Sequence, residues 1–335
     1  MAKRSKEKIK LKTKDMNNCK ILLTFCWLII NIPSYSQHEL SLYKDCPVIY
    51  DNDDHRDVYT DEYLLALSSL DEINFKAIIT TYSPNEYPIF VKGREQIMEL
   101  TRASGLQNLP ALFSGTNQKL TRPESNRIED TKALEIDGSE FIVQQAKKAS
   151  PQKPLVIIAG GQLTSIANAY LLHPSISPNI VVMGVFGAES IDYNAGLDAW
   201  AWTIILSKMR VVAIPIGPSG NRGVVYMKPP VVPKERIRTE LTQSVPLFKW
   251  MYEKKHPHNE LPNEGDFDGH PAILLTKPDY ITRWKKFDCT GINEKGHPVL
   301  SETENGKIWQ AEDASQQIAT DEFWRVMKNL NKQLK

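Results

Sequence analysis

Six acidic residues lie between positions 51 and 62, after the short apolar stretch VIY and before the apolar stretch YLLAL. They are Asp51, Asp53, Asp54, Asp57, Asp61 and Glu62. Carboxylates held close together repel each other, and removing each of them from water is costly. A hard divalent cation such as Ca²⁺ neutralises a cluster of this kind through oxygen ligands. The run therefore indicates either a metal site or a solvated acidic loop, and charge alone does not decide between them.

Short apolar runs alternate with amphipathic stretches, and this alternation predicts the elements that position the acids. The apolar runs lie at 47–50, 75–81, 109–115, 155–161, 180–187 and 209–217. Strands that alternate with helix-length stretches form βαβ units, which build a mostly parallel sheet with helices on both faces. We therefore expect an α/β fold with an open, mostly parallel, Rossmann-like sheet.

One stretch, from about 218 to 265, interrupts the alternation with prolines, charges and aromatic residues. We interpret it as a helical or irregular insertion over one end of the sheet, inside a single domain that spans 37–335. Its aromatic residues Phe248, Trp250 and Tyr252 fit a lid helix that stacks on a ligand. A stripe of aromatic side chains that faces the core is the alternative.

The N-terminus has the pattern of a targeting segment. Lysines and arginines precede an apolar run at 21–33, and the small residues Ser34 and Ser36 follow it. This is the order of regions in a secretory signal peptide. The run is also shorter than the roughly 20 residues that span a bilayer. We expect residues 1–36 to be a signal peptide, with translation starting at the first residue or at Met16, and the protein to be secreted or periplasmic; an uncleaved anchor is the alternative.

Charge and cysteine content narrow the partners and the redox chemistry. A net charge of +1, from 41 basic and 40 acidic residues, gives no indication of a nucleic-acid partner. Only Cys46 and Cys289 remain of four cysteines once the signal peptide is removed. In an exported protein they form either one disulfide or two free thiols, and both alternatives stay open.

Polar residues follow the predicted strands at their carboxyl ends, where ligands bind in open α/β sheets. They are Asp51, Asp53, Asn85, Thr164, Asp192 and Asn194, with Asp266 and Asp268 before a late apolar run. Because the carboxyl ends of parallel strands share one edge, we expect these side chains to converge there. Oxygen ligands without a nearby set of cysteines and histidines suit Ca²⁺ or Mg²⁺ better than zinc.

Five motifs, in order over about residues 46 to 290, resemble those of the inosine-uridine-preferring nucleoside hydrolase family. They are VIYDNDD…TDEYLLAL, ITTYSPN, LPALFSG, VIIAGGQLTSIANAYLLHPSI and DYNAGLDAWAW. The family has an open α/β sheet, binds one Ca²⁺ and hydrolyses the N-glycosidic bond of ribonucleosides to free base and ribose. The resemblance implies the same activity here, on a small-molecule nucleoside or related N-riboside. Family members are commonly homodimers or homotetramers, so a homo-oligomer is one alternative for this chain. Once the signal peptide is removed, we expect no stable membrane span.

The resemblance also implies a role for each matched position. Asp53 is implied as a metal ligand and as the general base that takes a proton from the attacking water. The other implied metal contacts are Asp51, Glu62, Thr164 through its backbone carbonyl, and Asp268. The implied sugar contacts are Asp61, Asn85, Asp192, Asn194 and Asp268, with Asp266 as the rival of Asp268.

Several residues depart from the pattern of the family. The first loop is longer and carries His55 and Arg56, Glu62 stands in place of Asp, and Asp192 stands in place of Glu. A carboxylate misplaced by ~1 Å can cost ~100-fold in rate. We interpret the chain as a divergent branch, with a non-catalytic metal- and sugar-binding protein as the alternative. His270 could protonate the leaving base, or it is a surface or capping histidine.

Overall fold

The computed structural model describes residues 40, 43–53, 59–81, 87–217, 223–253 and 268–335. Residues Leu40 to Lys335 belong to one compact unit. The predicted signal peptide, the predicted sites Asn85 and Asp266, and the tip of the acidic loop at 54–58 lie outside the described residues. Within the described part of the chain, no helix is long and apolar enough to cross a membrane.

Strands and helices alternate through the first two thirds of the described chain. The strands are β1 (Pro47–Asn52), β2 (Asn74–Thr80), β3 (Ala111–Ser114), β4 (Leu155–Ala159), β5 (Ile180–Gly184), β6 (Arg210–Ala213), β7 (Ile281–Ile292), β8 (Pro298–Glu302) and β9 (Ile308–Ala314). The helices are α1 (Thr60–Ser69), α2 (Tyr87–Ala103), α3 (Asp137–Ala146), α4 (Thr164–Leu172), α5 (Tyr193–Leu197), α6 (Ala199–Lys208), α7 (Lys234–Glu240), α8 (Pro246–Glu253), α9 (His270–Thr276) and α10 (Gln316–Gln333).

The described strands form one nine-stranded sheet in the order β3-β2-β1-β4-β5-β6-β9-β7-β8. Strands β1 to β6 and β9 run parallel, whereas β7 is antiparallel to both β8 and β9. The predicted α/β class and the six predicted strands are therefore confirmed, and the three C-terminal strands were not predicted. Because β1 lies between β2 and β4, the strand order reverses there, which is where such sheets bind ligands.

The sheet has a separate hydrophobic core on each face, because side chains of a strand point alternately to opposite sides. In β4, Val156 and Ile158 face one core, whereas Leu155 and Ile157 face the other. Helices α1, α2 and α7 to α10 contribute to the first core, and α3, α4 and α6 to the second. This burial on both faces explains why the strands read as continuous apolar runs.

The described part of the predicted insertion contains α7 and α8. Phe248 of α8 is fully buried in the core, and the partly buried Tyr252 packs against that core. The ammonium group of Lys234 lies 4.9 Å from the centre of the Tyr252 ring. Phe248 therefore faces the core, in agreement with the alternative to a lid helix.

Both cysteines of the predicted mature chain are free thiols. Cys46 is buried in the first core, and Cys289 lies on β7 with its sulfur 3.4 Å from the hydroxyl of Ser207. Of the two alternatives for these residues, the structure has the free thiols.

We expect truncation of a buried side chain in a central strand to lower the free energy of unfolding far more than truncation of an exposed one. Ile157→Ala removes a side chain with no solvent exposure and should destabilise the fold by about 2–5 kcal/mol, because the cavity fills poorly. Val299→Ala, on β8 with 43% exposure, is the matched control and should change stability by less than about 0.5 kcal/mol. Urea unfolding of both variants measures the difference, and equal losses would contradict the layered core.

Candidate functional site

The first acids of the run, Asp51 and Asp53, lie at the carboxyl end of β1, next to the end of β4. The backbone N–H of Gly160 donates to the carbonyl of Asp51 at 2.9 Å. A Cβ on Gly160 would overlap the Asn52 amide and lie 2.8 Å from a carboxylate oxygen of Asp268. A Cβ on Gly161 would lie 3.0 Å from the carboxyl carbon of Asp53. The two glycines therefore leave room for the side chains of Asp268 and Asp53, which are far apart in sequence, against the same turn.

Asp51 is an almost fully buried acid at this edge. It is 1% exposed, and its carboxylate lies near the Ser165 hydroxyl without a well-formed hydrogen bond among the described residues. Burial raises the pKa of Asp51 well above its ordinary value, and the Arg94 guanidinium and the Ser165 hydroxyl partly oppose this shift. The negative charge of Asp53 raises the same pKa further. Asp51 therefore presents two dry oxygen atoms that a cation would satisfy.

Asp53 differs from Asp51 in its access to solvent. It is partly exposed, whereas Asp51 and Asn52 before it are buried. A carboxylate in this position can reach a water molecule or a ligand at the edge of the sheet, as a general base requires. Asp51, in β1, and Asp53, directly after it, therefore have different environments although both are implied metal ligands.

The acid pair at the start of α1 is buried, as are most side chains of that helix. Asp61 is 2% exposed and Glu62 is fully buried. Both lie in the first helical turn, where the macrodipole stabilises negative charge. The Nε of Arg94, on α2, donates to a carboxylate oxygen of Asp61 at 3.0 Å. Asp61 therefore forms a buried ion pair, and its predicted sugar contact stays a prediction.

Asn52 links this ion pair to the late acid of the chain. Its side-chain amide donates to Asp268 at 3.2 Å, and its side-chain oxygen accepts from the guanidinium of Arg94. Asp268 itself is 6% exposed and immediately precedes α9. A side-chain network thus connects α1, α2, β1 and the residues before α9.

Thr164 is held at the start of α4 by a second aspartate. Its hydroxyl donates to Asp198 at 2.6 Å, and Asp198 also accepts from the backbone N–H of Leu120 at 2.8 Å and of Ala201 at 3.0 Å. Burial raises the pKa of Asp198, while these hydrogen bonds lower it. Asp198 therefore fixes the segment that carries Thr164, a role the sequence analysis did not assign.

Asp192 and Asn194 follow β5, the strand next to β4. Asp192 caps α5 and accepts from the backbone N–H groups of Gly187 at 2.6 Å, Ile216 at 3.1 Å and Ala195 at 3.3 Å. Burial nevertheless raises the pKa of Asp192 to about 6. The side-chain amide of Asn194 donates to the carbonyl of Val185 at 2.9 Å. Both residues shape this loop, and their predicted ribose contacts stay predictions.

His270 lies inside the protein, at the first position of α9. Its Nδ1 is 2.7 Å from the hydroxyl of Tyr280, which donates to the carbonyl of Lys228 at 3.1 Å. Burial lowers the pKa of His270 to about 3, so the ring is neutral near pH 7. This environment favours a structural role over protonation of a leaving base.

The donor chemistry at this edge fits a hard divalent cation such as Ca²⁺. The carboxylates of Asp51, Asp53 and Asp268 supply oxygen ligands, and the oxygens of Asp51 are buried without hydrogen bonds from described residues. Among the described residues, however, no three Asp, Glu, His or Cys side chains lie close enough to form a ligand set. The structure thus provides suitable donors that are not gathered around one point.

Two residues of the network were missed in the sequence analysis, Asn52 and Arg94. A signal for Arg94 does exist, because the buried positions of α2 recur with helical spacing and include it between Phe90 and Ile97. An arginine on such a face requires an acidic partner. Which acid it meets, Asp61, depends on how α2 packs and is not readable from the pattern.

Comparison with known proteins supports the fold. No protein-family model and no curated protein matches the sequence. Among solved structures, a purine-preferring ribonucleoside hydrolase from Gardnerella vaginalis has a TM-score of 0.59 at 16% identity, over 85% of this chain and 99% of that one. An inosine-uridine preferring nucleoside hydrolase from Bacillus anthracis has a TM-score of 0.55 at 15% identity, over 84% and 99%.

A third similar structure is the type III effector protein XopQ, solved in complex with adenosine diphosphate ribose. Its TM-score is 0.59 at 10% identity, over 88% of this chain and 98% of that one. At these identities the similarity concerns the fold. The resemblance found in the five motifs is therefore confirmed at that level, and the chain has the fold of the nucleoside hydrolases.

Proposed function

We propose that this protein hydrolyses the N-glycosidic bond of a ribonucleoside or a related N-riboside, giving free base and ribose. The observation that carries the proposal is the approach of Asp53 and Asp268 to the Gly160–Gly161 turn, at the point where the strand order reverses. Two of the similar structures are described as nucleoside hydrolases, which supports the same class of reaction.

The reaction requires a water molecule on the face of the ribose opposite the departing base. The transition state of glycoside hydrolysis resembles an oxocarbenium ion, so the attacking water must lose a proton as the bond to the sugar forms. We assign Asp53 as the base, because it is the partly exposed carboxylate of the edge. Asp51, behind it, is too buried to exchange protons freely with solvent.

In this proposal Asp51, Asp53, Asp268, Glu62 and the backbone carbonyl of Thr164 are the groups that would hold a Ca²⁺ ion. When bound, the ion supplies positive charge that orients water and ribose hydroxyls. The loop of Asp192 and Asn194 follows the adjacent strand β5, from which it can contact the ribose.

A non-catalytic role in binding a ribose-containing ligand is the second candidate. The structure of XopQ with adenosine diphosphate ribose favours it, because the same fold there holds a ribose derivative. Buried Asp61 and Glu62 are compatible with either function. Base release separates the two candidates.

The first prediction concerns Asp53. Asp53→Asn removes the proposed base and should lower base release from ribonucleosides by about 100- to 10,000-fold, since general-base catalysis contributes that much. Chelation of Ca²⁺ should also abolish turnover. We would measure free base and reducing sugar from a panel of purine and pyrimidine nucleosides, with Ca²⁺ and with chelator.

The matched control is Asp321→Asn, an exposed acid on α10, which should retain wild-type turnover. If the wild-type protein releases base and Asp53→Asn releases it at the same rate, the proposed role of Asp53 is contradicted. No release from any nucleoside by wild type, with ribosides still bound in calorimetry, would favour the binding candidate.

The second prediction concerns the pH dependence of the Asp192 loop. Because the pKa of Asp192 rises from 3.8 to about 6 on folding, this group contributes stability that is fully present below pH ~4 and is lost as pH rises through 6. The side chain of Asp192→Asn is neutral at every pH, so the variant does not lose this stability. The melting temperature of the variant minus that of wild type should therefore increase as the pH is raised from 4 to 7. Thermal unfolding across this range measures the difference, and a difference independent of pH would contradict the shift.

Export of the protein is a further part of the proposal. The basic residues at the N-terminus, the apolar run at 21–33 and the small residue Ser36 support cleavage after Ser36. Leu40, the first described residue, is already buried, with 1% exposure. Mass spectrometry of the protein from the periplasm or medium should give an N-terminus just after Ser36. Ser36→Trp, which places a bulky residue at the cleavage site, should leave the precursor uncut; a wild-type protein that keeps residues 1–36 would instead support the anchor.

A further inference from the structure

Arg94 is a buried cation inside the acidic site. It lies in the middle of α2, is 1% exposed, and is among the largest fully buried side chains of the described residues. Its Nε donates to Asp61 at 3.0 Å, and its guanidinium carbon lies 5.3 Å from the centre of the Tyr50 ring. A guanidinium is effectively always charged, so this position carries a permanent positive charge.

The contacts of Arg94 extend to the edge where a ligand would bind. The guanidinium donates to the side-chain oxygen of Asn52, and the amide of Asn52 donates to Asp268 at 3.2 Å. The positive charge of Arg94 also partly offsets the rise that burial causes in the pKa of Asp51, which lies next to Asn52 in β1. One side chain therefore influences Asp61 directly, Asp268 through Asn52, and Asp51 through its charge.

The balance of charge explains why a cation is needed at this position. Asp51, Asp61, Glu62 and Asp268 are all at least nine-tenths buried. An unpaired buried carboxylate is strongly destabilising, because its charge is removed from water without a compensating partner. Arg94 compensates one of these charges without any bound ion, and it repels a second cation placed beside it.

We propose that Arg94 is the resident cation of the acidic site, that it pairs with Asp61, and that its charge weakens the binding of a divalent cation beside it. Asp61 then serves this internal pair instead of a ligand. A divalent cation binds against the charge of Arg94, on the side of Asp51, Asp53 and Asp268. The proposal rests on the proposed function only for the use of the site, since its test requires no nucleoside.

Two substitutions with opposite effects on charge test the proposal. Arg94→Met removes the positive charge and should tighten Ca²⁺ binding by about tenfold, because a fixed positive charge beside the site no longer repels the ion. Asp61→Asn leaves Arg94 without its counter-charge and should weaken Ca²⁺ binding by a similar factor. Calorimetric titration of the mature protein with Ca²⁺ gives the dissociation constants.

Three further variants control for loss of structure. Arg102→Met, at an exposed position of the same helix, should bind Ca²⁺ as wild type does. Arg94→Lys retains the charge and should stay closer to wild type than Arg94→Met. The double variant Arg94→Met/Asp61→Asn removes both charges of the pair and should return the affinity toward wild type, because the net charge is restored.

The outcomes separate a charge effect from a merely structural one. A structural role alone would make Arg94→Met and Asp61→Asn both bind Ca²⁺ more weakly or both leave it unchanged, and either result overturns the proposal. Absence of Ca²⁺ binding in wild type and in every variant overturns it as well. If Arg94→Met does not fold, Asp61→Asn is compared with the double variant Arg94→Met/Asp61→Asn, in which neither charge of the pair is left alone. Tighter Ca²⁺ binding by the double variant than by Asp61→Asn supports the proposal, and equal binding overturns it. Loss of base release alone bears only on the proposed function.

Discussion

Burial of the sheet on both faces is the constraint from which the rest of the structure follows. Strands β1 and β4 are covered by two hydrophobic cores, so their middle positions must be apolar. Polar side chains that must reach water or a ligand can therefore lie only at the ends of these strands. Asp51 and Asp53 therefore lie at the carboxyl edge, and the two glycines after β4 give room to Asp53 and Asp268.

Negative charge at that edge creates a second requirement, which the protein meets internally. Asp51 remains dry with two oxygens that lack hydrogen bonds from described residues, whereas Asp61 is neutralised by Arg94 from α2. The ion pair also links helix α2 to helix α1 across the end of β1. Charge compensation and the positioning of Asp268 are consequently parts of one side-chain network.

The sequence predicts most of the parallel sheet but little of its C-terminal extension. Runs such as LVIIAGG identify strands because a central strand buried on both faces needs continuous apolar residues. Strand β7 alternates between buried, intermediate and exposed positions with charged residues such as Lys285 and Asp288, so no apolar run marks it. Its place in the sheet is fixed by antiparallel pairing with β8 and β9, which involves residues distant from one another and leaves no local signal.

The candidate site shows the same division between local and distant information. Asp51 and Asp53 could be placed at the edge because a strand end and its next residues are contiguous in sequence. The pairing of Arg94 with Asp61 joins residues 33 positions apart, and the contact of Asn52 with Asp268 joins residues 216 apart. Neither spacing is periodic, so only the packing of α1, α2 and the segment before α9 against β1 determines which polar groups meet. A helical pattern can show that Arg94 is buried, but its function depends on the acid that the fold places opposite it.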